Sequence, residues 1–412
     1  MHRSRFAAHS LKLDPHETLT RVPRFEPFRA LRYADPALDR LIAPPYDVLS
    51  DADADALAAR SPHNIVHVDV PRGGSDRYLR AAEVLSSWRR QGVLALDPEP
   101  SFTIYRMAFV DDSGAARQIV GVLGGLEVVD EGAGRVLPHE RTTPKASTDR
   151  LDLTRATRAN LSPVWGLSLA NGLTGLLEEP GEPVGRVEDE GVQHIVERVI
   201  DRERVAAIRA ALDSDDVLIA DGHHRYGISR VYRDEVRAAT GRTDTAAEQT
   251  LAFVNELVPE QLSVAAIHRL YTDISTTELE GALGGCFTFE QVGRPSAAIL
   301  AEMESAGFLV LMTSDDCWRL NPRPGAFDGV RALDGLWLET ALAKSSATVR
   351  YQHGFGEALA EVESGRAAAA VLIRPVSVAE IERTAREGLL MPPKSTFFTP
   401  KLKTGFVLRP LD

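Results

Sequence analysis

The chain of 412 residues, with 44% hydrophobic and 26% charged residues, has an ordinary globular composition and room for two or three domains. A formal charge of -12 makes duplex DNA or an anionic membrane a poor match for the surface as a whole, although it leaves room for a local anion pocket. No stretch approaches the apolar length needed to cross a bilayer, and Cys286 and Cys317 support neither a disulfide framework nor a zinc finger, so a cytoplasmic protein is expected.

Five Lys and Arg stand in residues 1–24 without the apolar run of a secretion signal, so that segment reads as a disordered leader. A short strand is predicted at 28–33. Two prolines make Ile42-Ala-Pro-Pro-Tyr-Asp-Val-Leu-Ser50 an extended loop, and Ser50 then caps a helix over 51–60. The β-branched alternation of 65–70 predicts a strand, 78–91 a helix, and 102–110 and 118–129 two strands joined by a glycine turn. A polar loop, 137–150, leads into a helix at 151–159. Farther on come a helix at 203–212, a short buried strand at 217–220 and a helix at 226–239.

The pattern restarts near residue 261. Strands are predicted at 264–268, 308–312, 317–320 and 368–373, with a helix at 297–305 and another opened by a Ser377/Glu380 capping box and closed by Gly388. Three prolines keep 391–401 irregular, and a strand at 405–408 ends the chain. The fold class is α/β with mixed sheets, divided into an N-terminal α/β domain at 25–260 and a C-terminal α/β domain at 261–412.

The strongest chemical signal is VLIADGHHRYGIS at 217–229. An apolar strand that turns through Asp-Gly into a helix leaves free amides at the helix start, with Arg225 beside them, which is an anion site in outline. Gly222 permits a tight turn, Arg225 can bind phosphate oxygens with two donors, and His223 or His224 can donate to the same anion or exchange a proton. Asp221 would repel phosphate unless a metal or a substrate hydroxyl intervened, which suits it to Mg²⁺ binding or to general-base duty. The plainer alternative, a helix-capping Asp221 with surface histidines, weighs about equally. His67 and Asp69, on one face of the predicted strand, are a weaker metal candidate.

Lysine is sparse, only six among 47 Lys and Arg, and Lys145, Lys394 and Lys401 each follow a proline inside an irregular loop. There a compact ammonium could reach a phosphate or carboxylate, although turn composition explains the placement nearly as well. No Walker A sequence and no GxSxG elbow is present. His139, Glu140, Arg141, Asp149 and Arg150 form a second acid, base and cation cluster. A buried Glu140 could accept a hydroxyl proton and Arg150 could pair with phosphate, or the whole could be an exposed loop with Asp149 capping the helix. Asp47, beside Tyr46 in the rigid 42–50 loop, is either turn chemistry or a site carboxylate.

At these residues the chain resembles the prokaryotic domain-of-unknown-function family 1015. The motifs that carry the likeness are FRALRY (28–33), APPYDVLS (43–50), SPHNIVHVDVPRG (61–73), HERTTPKASTDRLDL (139–153), ANLSPVWGL (159–167), ADGHHRY (220–226) and MPPKSTFFTPKL (391–402), which together span about Phe25 to Leu411. More distantly, ADGHHRY resembles the phosphate-binding motif of ParB-type and free-serine-kinase proteins. That resemblance implies a ParB/sulfiredoxin-like nucleotide-binding core. It also implies a phosphotransferase acting on a small hydroxylated metabolite such as free serine, with Mg²⁺ and with ADP, ATP or pyrophosphate as donor.

On this reading Asp221, His223 and Glu140 are catalytic, with Asp221 also the metal ligand. Gly222, His224, Arg225, Lys145 and Arg150 hold phosphate or nucleotide, and Tyr46, Asp47, Lys394, Ser395, Thr396 and Lys401 bind substrate. Hydrolysis of a phosphate ester is the nearest variant. The alternatives are a ParB-like nucleotide-sensing protein without turnover, and a two-domain scaffold whose polar loops only pack. A small molecule and a nucleotide are the expected partners, with no membrane and no nucleic acid, and a homo-oligomer is compatible.

Overall fold

The computed structural model describes residues 23–111, 114–133, 135–141 and 147–412. The expected leader lies outside the described residues except for its last two positions, and Lys145 lies outside them as well.

Among the described residues, one mixed sheet of nine strands runs in the order Val136–Leu137, Val217–Asp221, Val164–Ser168, Gln249–Glu256, Ala116–Glu127, Phe102–Val110, Val192–Val199 and Glu182–Asp189. The ninth strand, Phe25–Glu26, pairs with Ala116–Glu127. Phe102–Val110 and Ala116–Glu127 form the expected hairpin, whereas Glu182–Asp189, Val192–Val199 and Gln249–Glu256 had no counterpart in the sequence reading. A second, antiparallel sheet holds Phe287–Gly293, Cys317–Pro322, Leu309–Met312, Ala369–Leu372, Ile267–Thr272 and Thr348–His353. The fold is therefore mixed α/β with several sheets.

Helices form where their ends are satisfied. Ser50 accepts the Asp53 amide while Asp53 reaches back to the Ser50 amide, so Asp51–Arg60 begins with a complete capping box. Ser377 caps Val378–Arg386 in the same way, but the Glu380 carboxylate turns to Arg331 and Arg383 instead of closing the box.

The strand predicted at 65–70 is instead a short helix, Val66–Asp69. Asn64 decides this locally. Its Oδ1 accepts the Val66 amide at 3.0 Å and its Nδ2 donates to the carbonyls of Arg40 and Ile42, a side-chain turn that propensity does not register. Ile65, Val66 and Val68 are buried all the same. The strand expected at 405–408 is likewise displaced, to Arg409–Pro410.

The C-terminal tail returns to the first body, that of residues 25–260. Thr404 bridges Ala43, Leu408 bridges Leu31, and Arg409–Pro410 pairs with Ala159–Asn160, while Phe397–Thr399 pairs with Ser263–Ala265, just past residue 260. Met391, Phe398, Leu402, Phe406 and Leu408 share one apolar core with Leu31, Ile65, Trp165 and Phe253. Burial of each such side chain is worth roughly 1.5–3 kcal/mol, so this return fastens the 391–401 loop over the end of the 217–221 strand.

Candidate functional site

Strand direction gathers the site. The 136–137 and 217–221 strands run parallel, so the segments that follow them, His139-Glu140 and Gly222 to Arg225, leave the sheet at the same edge. The neighbouring 164–168 strand runs antiparallel and begins there, which brings Pro163 to the same corner.

Gly222 makes the corner at φ 89°, and a β-carbon there would stand 3.0 Å from Arg225 Nε and 3.3 Å from Val164 Cα. The helix His223–Thr240 starts at once, three residues before the expected position. Asp221 Oδ1 accepts the Gly222 amide at 2.9 Å, and its Oδ2 accepts from Lys401 Nζ at 3.1 Å and from Arg225 Nη2 at 3.3 Å. Burial pushes the Asp221 carboxyl up, but Lys401 and Arg225 outweigh it and hold the group well below the usual carboxylate range.

Arg225 also donates through Nη1 to the Pro163 carbonyl, and the Asp47 carboxylate lies 4.0 Å from its Nη2. Two of the expected anion donors, the Gly222 amide and the Arg225 guanidinium, thus have protein partners. Arg225 and Arg150 line a common cavity of about 40 Å³, the volume of one or two waters.

Around this corner stand two histidines. His139 is fully buried; because a carbonyl can only accept, its Nδ1 donates to Ile219 O at 2.7 Å, and its Nε2 therefore accepts from Thr396 Oγ1 at 2.9 Å. The His139 amide points at His223 Nε2 at 3.4 Å, and the rings meet edge to face at 4.8 Å. Burial lowers the His139 pKa to about 4. Burial and then the neighbouring His139 bring His223 well below the ordinary histidine value, so both rings are neutral at pH 7.

Glu140 faces backbone amides. Its Oε1 accepts the Lys394 amide at 2.7 Å, and its Oε2 accepts those of Ser395 at 3.0 Å and Thr396 at 3.4 Å. Burial raises its carboxyl above the usual carboxylate value, and the three amides offset this only in part. That arrangement suits Glu140 to holding the 394–396 turn rather than to taking a proton. The turn needs holding, since Lys394 sits at φ 58°, a conformation that costs a side-chain-bearing residue on the order of 1 kcal/mol. Ser395 Oγ is turned back to the Pro392 carbonyl at 2.8 Å.

Arg150 is buried as well. It donates through Nη1 to the Asp69 carboxylate at 2.9 Å and carbonyl at 2.7 Å, and its guanidinium lies 3.6 Å from the centre of the Tyr46 ring. Burial pushes the Tyr46 hydroxyl pKa up.

Sequence reasoning missed Asp69 as the partner of Arg150. As a strand residue it was set beside His67, but in the 66–69 helix residues two apart do not face each other, and Asp69 turns inward. The signal that would have found it is an acid in an apolar run, IVHVDV, where burial requires a cation. No group of three or more His, Cys, Asp or Glu able to hold a metal occurs among the described residues.

The structure therefore brings together Tyr46, Asp47, Glu140, Arg150, Asp221 to Arg225, Ser395, Thr396 and Lys401 from four separate loops. Arg141 stays outside, exposed and paired with Glu339 at 2.8 Å. Asp149, at the margin, accepts from Arg77 at 2.9 Å.

Residues 25–336 match the model of a family described as protein of unknown function (DUF1015). No curated protein matches the chain in sequence. Among solved structures, the chain is similar to a conserved hypothetical protein from Pyrococcus furiosus at 12% identity and TM-score 0.37, over 67% of this chain and 92% of that one. It is similar to a free serine kinase in complex with AMP at 11% identity and TM-score 0.37, over 66% and 89%. A third is SbnI from Staphylococcus aureus, at 14% and 0.38, over 70% and 87%. Likeness this low transfers no functional residue. No helix among the described residues is long and apolar enough to cross a membrane.

Proposed function

Because the chain belongs to the DUF1015 family, whose description assigns no activity, we propose its function from its own site: a phosphotransferase acting on the hydroxyl of a small metabolite such as free serine, with a nucleotide or pyrophosphate as donor. One observation carries the reading: Asp221, Arg225, Lys401 and Asp47 meet at a strand-to-helix corner beside the two neutral histidines His139 and His223. Phosphoryl transfer asks mainly for positioning and charge neutralisation, and Arg225 and Lys401 supply the cations. A ParB/sulfiredoxin-like description of the first body belongs to the same proposal.

The roles follow from the electrostatics. Asp221, held ionised by two cations, is a poor proton acceptor and a better metal ligand. Mg²⁺ is commonly held by one or two carboxylates and the substrate phosphates, so Asp221 fits as its protein ligand, with Lys401 released from it to phosphate. The ion would supply charge neutralisation at the transferring phosphate. Neutral His223 would receive the hydroxyl proton only by turning Nε2 away from the His139 amide, and burial makes it a weak base. Glu140, Ser395 and Thr396 shape the facing turn, Arg150 braces Tyr46 against Asp69, and His224 adjoins the phosphate position.

A second reading, nucleotide sensing without turnover, is favoured by the small cavity beside Arg225: a nucleotide can enter only if the surrounding loops shift. Incubation of the protein with Mg²⁺, a panel of amino acids and labelled ADP, ATP, CTP or pyrophosphate separates the two. A phosphorylated amino acid formed by the wild type and lost by at least about a hundredfold in Asp221→Asn supports phosphotransfer. Saturable nucleotide binding without product supports sensing, and absence of both sinks the two together.

A further inference from the structure

Arg269 is buried to within 4% of full enclosure, on the strand Ile267–Thr272 of the second sheet, and among the described residues no carboxylate lies in ion-pair contact with it. Its Nη1 donates to the carbonyls of Ile267 at 2.5 Å and Lys394 at 3.0 Å. Among the described residues, its hydrogen bonds run through Nη1 alone. Such a cation is costly to bury, and two carbonyls on a single nitrogen compensate it incompletely. The carboxylates of Glu140 and Glu339 act on it only from a distance.

The unpartnered side of the guanidinium borders a cavity of about 220 Å³. The charge lies 4.8 Å from the centre of the Tyr351 ring, and a β-carbon on Gly335 would stand 3.3 Å from Nη2; both residues line the cavity. Leu338, Leu342, Val349 and Tyr271 supply apolar walls, and Pro392 and Pro393 close the side toward the 394–396 turn. Glu339, at the rim, is paired with Arg141.

We propose that this cavity is a binding site for a small monocarboxylate with a branched apolar tail, its carboxylate on Arg269 and its tail among Leu338, Leu342 and Val349. A carboxylate is the planar acceptor that a guanidinium fork matches, and the apolar walls disfavour inorganic anions. At about 30 Å³ per water-sized group, the cavity has room for roughly seven such groups, the size of 3-methylbutanoate. The lining of this cavity does not include Asp221, and the proposal does not depend on the phosphotransfer reading.

Calorimetric titration of the full chain with 3-methylbutanoate tests it, with 3-methylbutanamide as the neutral isostere. The expected result is saturable binding with a Kd of about 1 mM or below, at least about tenfold weaker for the amide. Arg269→Met should weaken the acid by at least about tenfold and leave the amide unchanged. Gly335→Ala, which places a methyl against Nη2 in a helix that accepts alanine, should weaken both probes, and it decides the matter if Arg269→Met does not fold. Equal affinity for acid and amide, no binding of the acid at about ten times that Kd, or unaltered binding by both variants overturns the proposal.

Discussion

Replacing Glu140 with Gln separates a residue that holds the 394–396 turn from one that takes a proton. The carboxylate accepts three amides, one on Oε1 and two on Oε2. A glutamine keeps a single acceptor oxygen, which serves Ser395 and Thr396 and leaves the Lys394 amide facing an NH₂ group. One hydrogen bond to a charged acceptor is lost, worth about 1.5–3 kcal/mol, and the strained φ of Lys394 loses its restraint. Amide hydrogen exchange reads this locally, so that Lys394 to Thr396 should exchange about 10–150 times faster in Glu140→Gln, with distant core amides unchanged. Glu140→Ala, which removes all three bonds, should exceed that. If the exchange rates stay at wild-type values while turnover of the proposed reaction falls by about a hundredfold or more, Glu140 is a proton acceptor and the positioning account is wrong.

Two further outcomes follow from buried charge and from histidine burial. Arg150→Leu leaves the Asp69 carboxylate, 1% exposed, without its cation and should cost about 3–5 kcal/mol in urea unfolding. Arg150→Lys should cost less, since it keeps the charge but loses the fork and the stack on Tyr46, and two variants as stable as the wild type would show that the pair is not a brace. His139, whose folded pKa of about 4 lies below its unfolded value of about 6.5, is protonated first in the unfolded chain. Its contribution is complete above about pH 6.5 and is lost as pH falls toward 4, by on the order of 3 kcal/mol. The stability gap between wild type and His139→Gln should therefore narrow across that window, and a gap independent of pH would refute the assignment.

Local chemistry was legible at several places where neighbouring residues decide it, though not at Asn64. Ser50 and Asp53 announce their helix, the strand-to-helix corner at Asp221 to Arg225 stands in the order of its residues, and the prolines of 391–401 exclude a helix. The loops that carry chemistry could be named because polar and proline-rich segments interrupt periodic ones. What those side chains face was not legible. Glu140 as clamp, Asp69 as counter-charge to Arg150, Lys401 on Asp221 and the unpaired Arg269 depend on partners 81 to 256 residues away, or on their absence among the described residues. A carboxylate's role is set by what desolvates it and what donates to it, and only the parallel pairing at 136–137 and 217–218, with the return of the tail into the first core, supplies those neighbours.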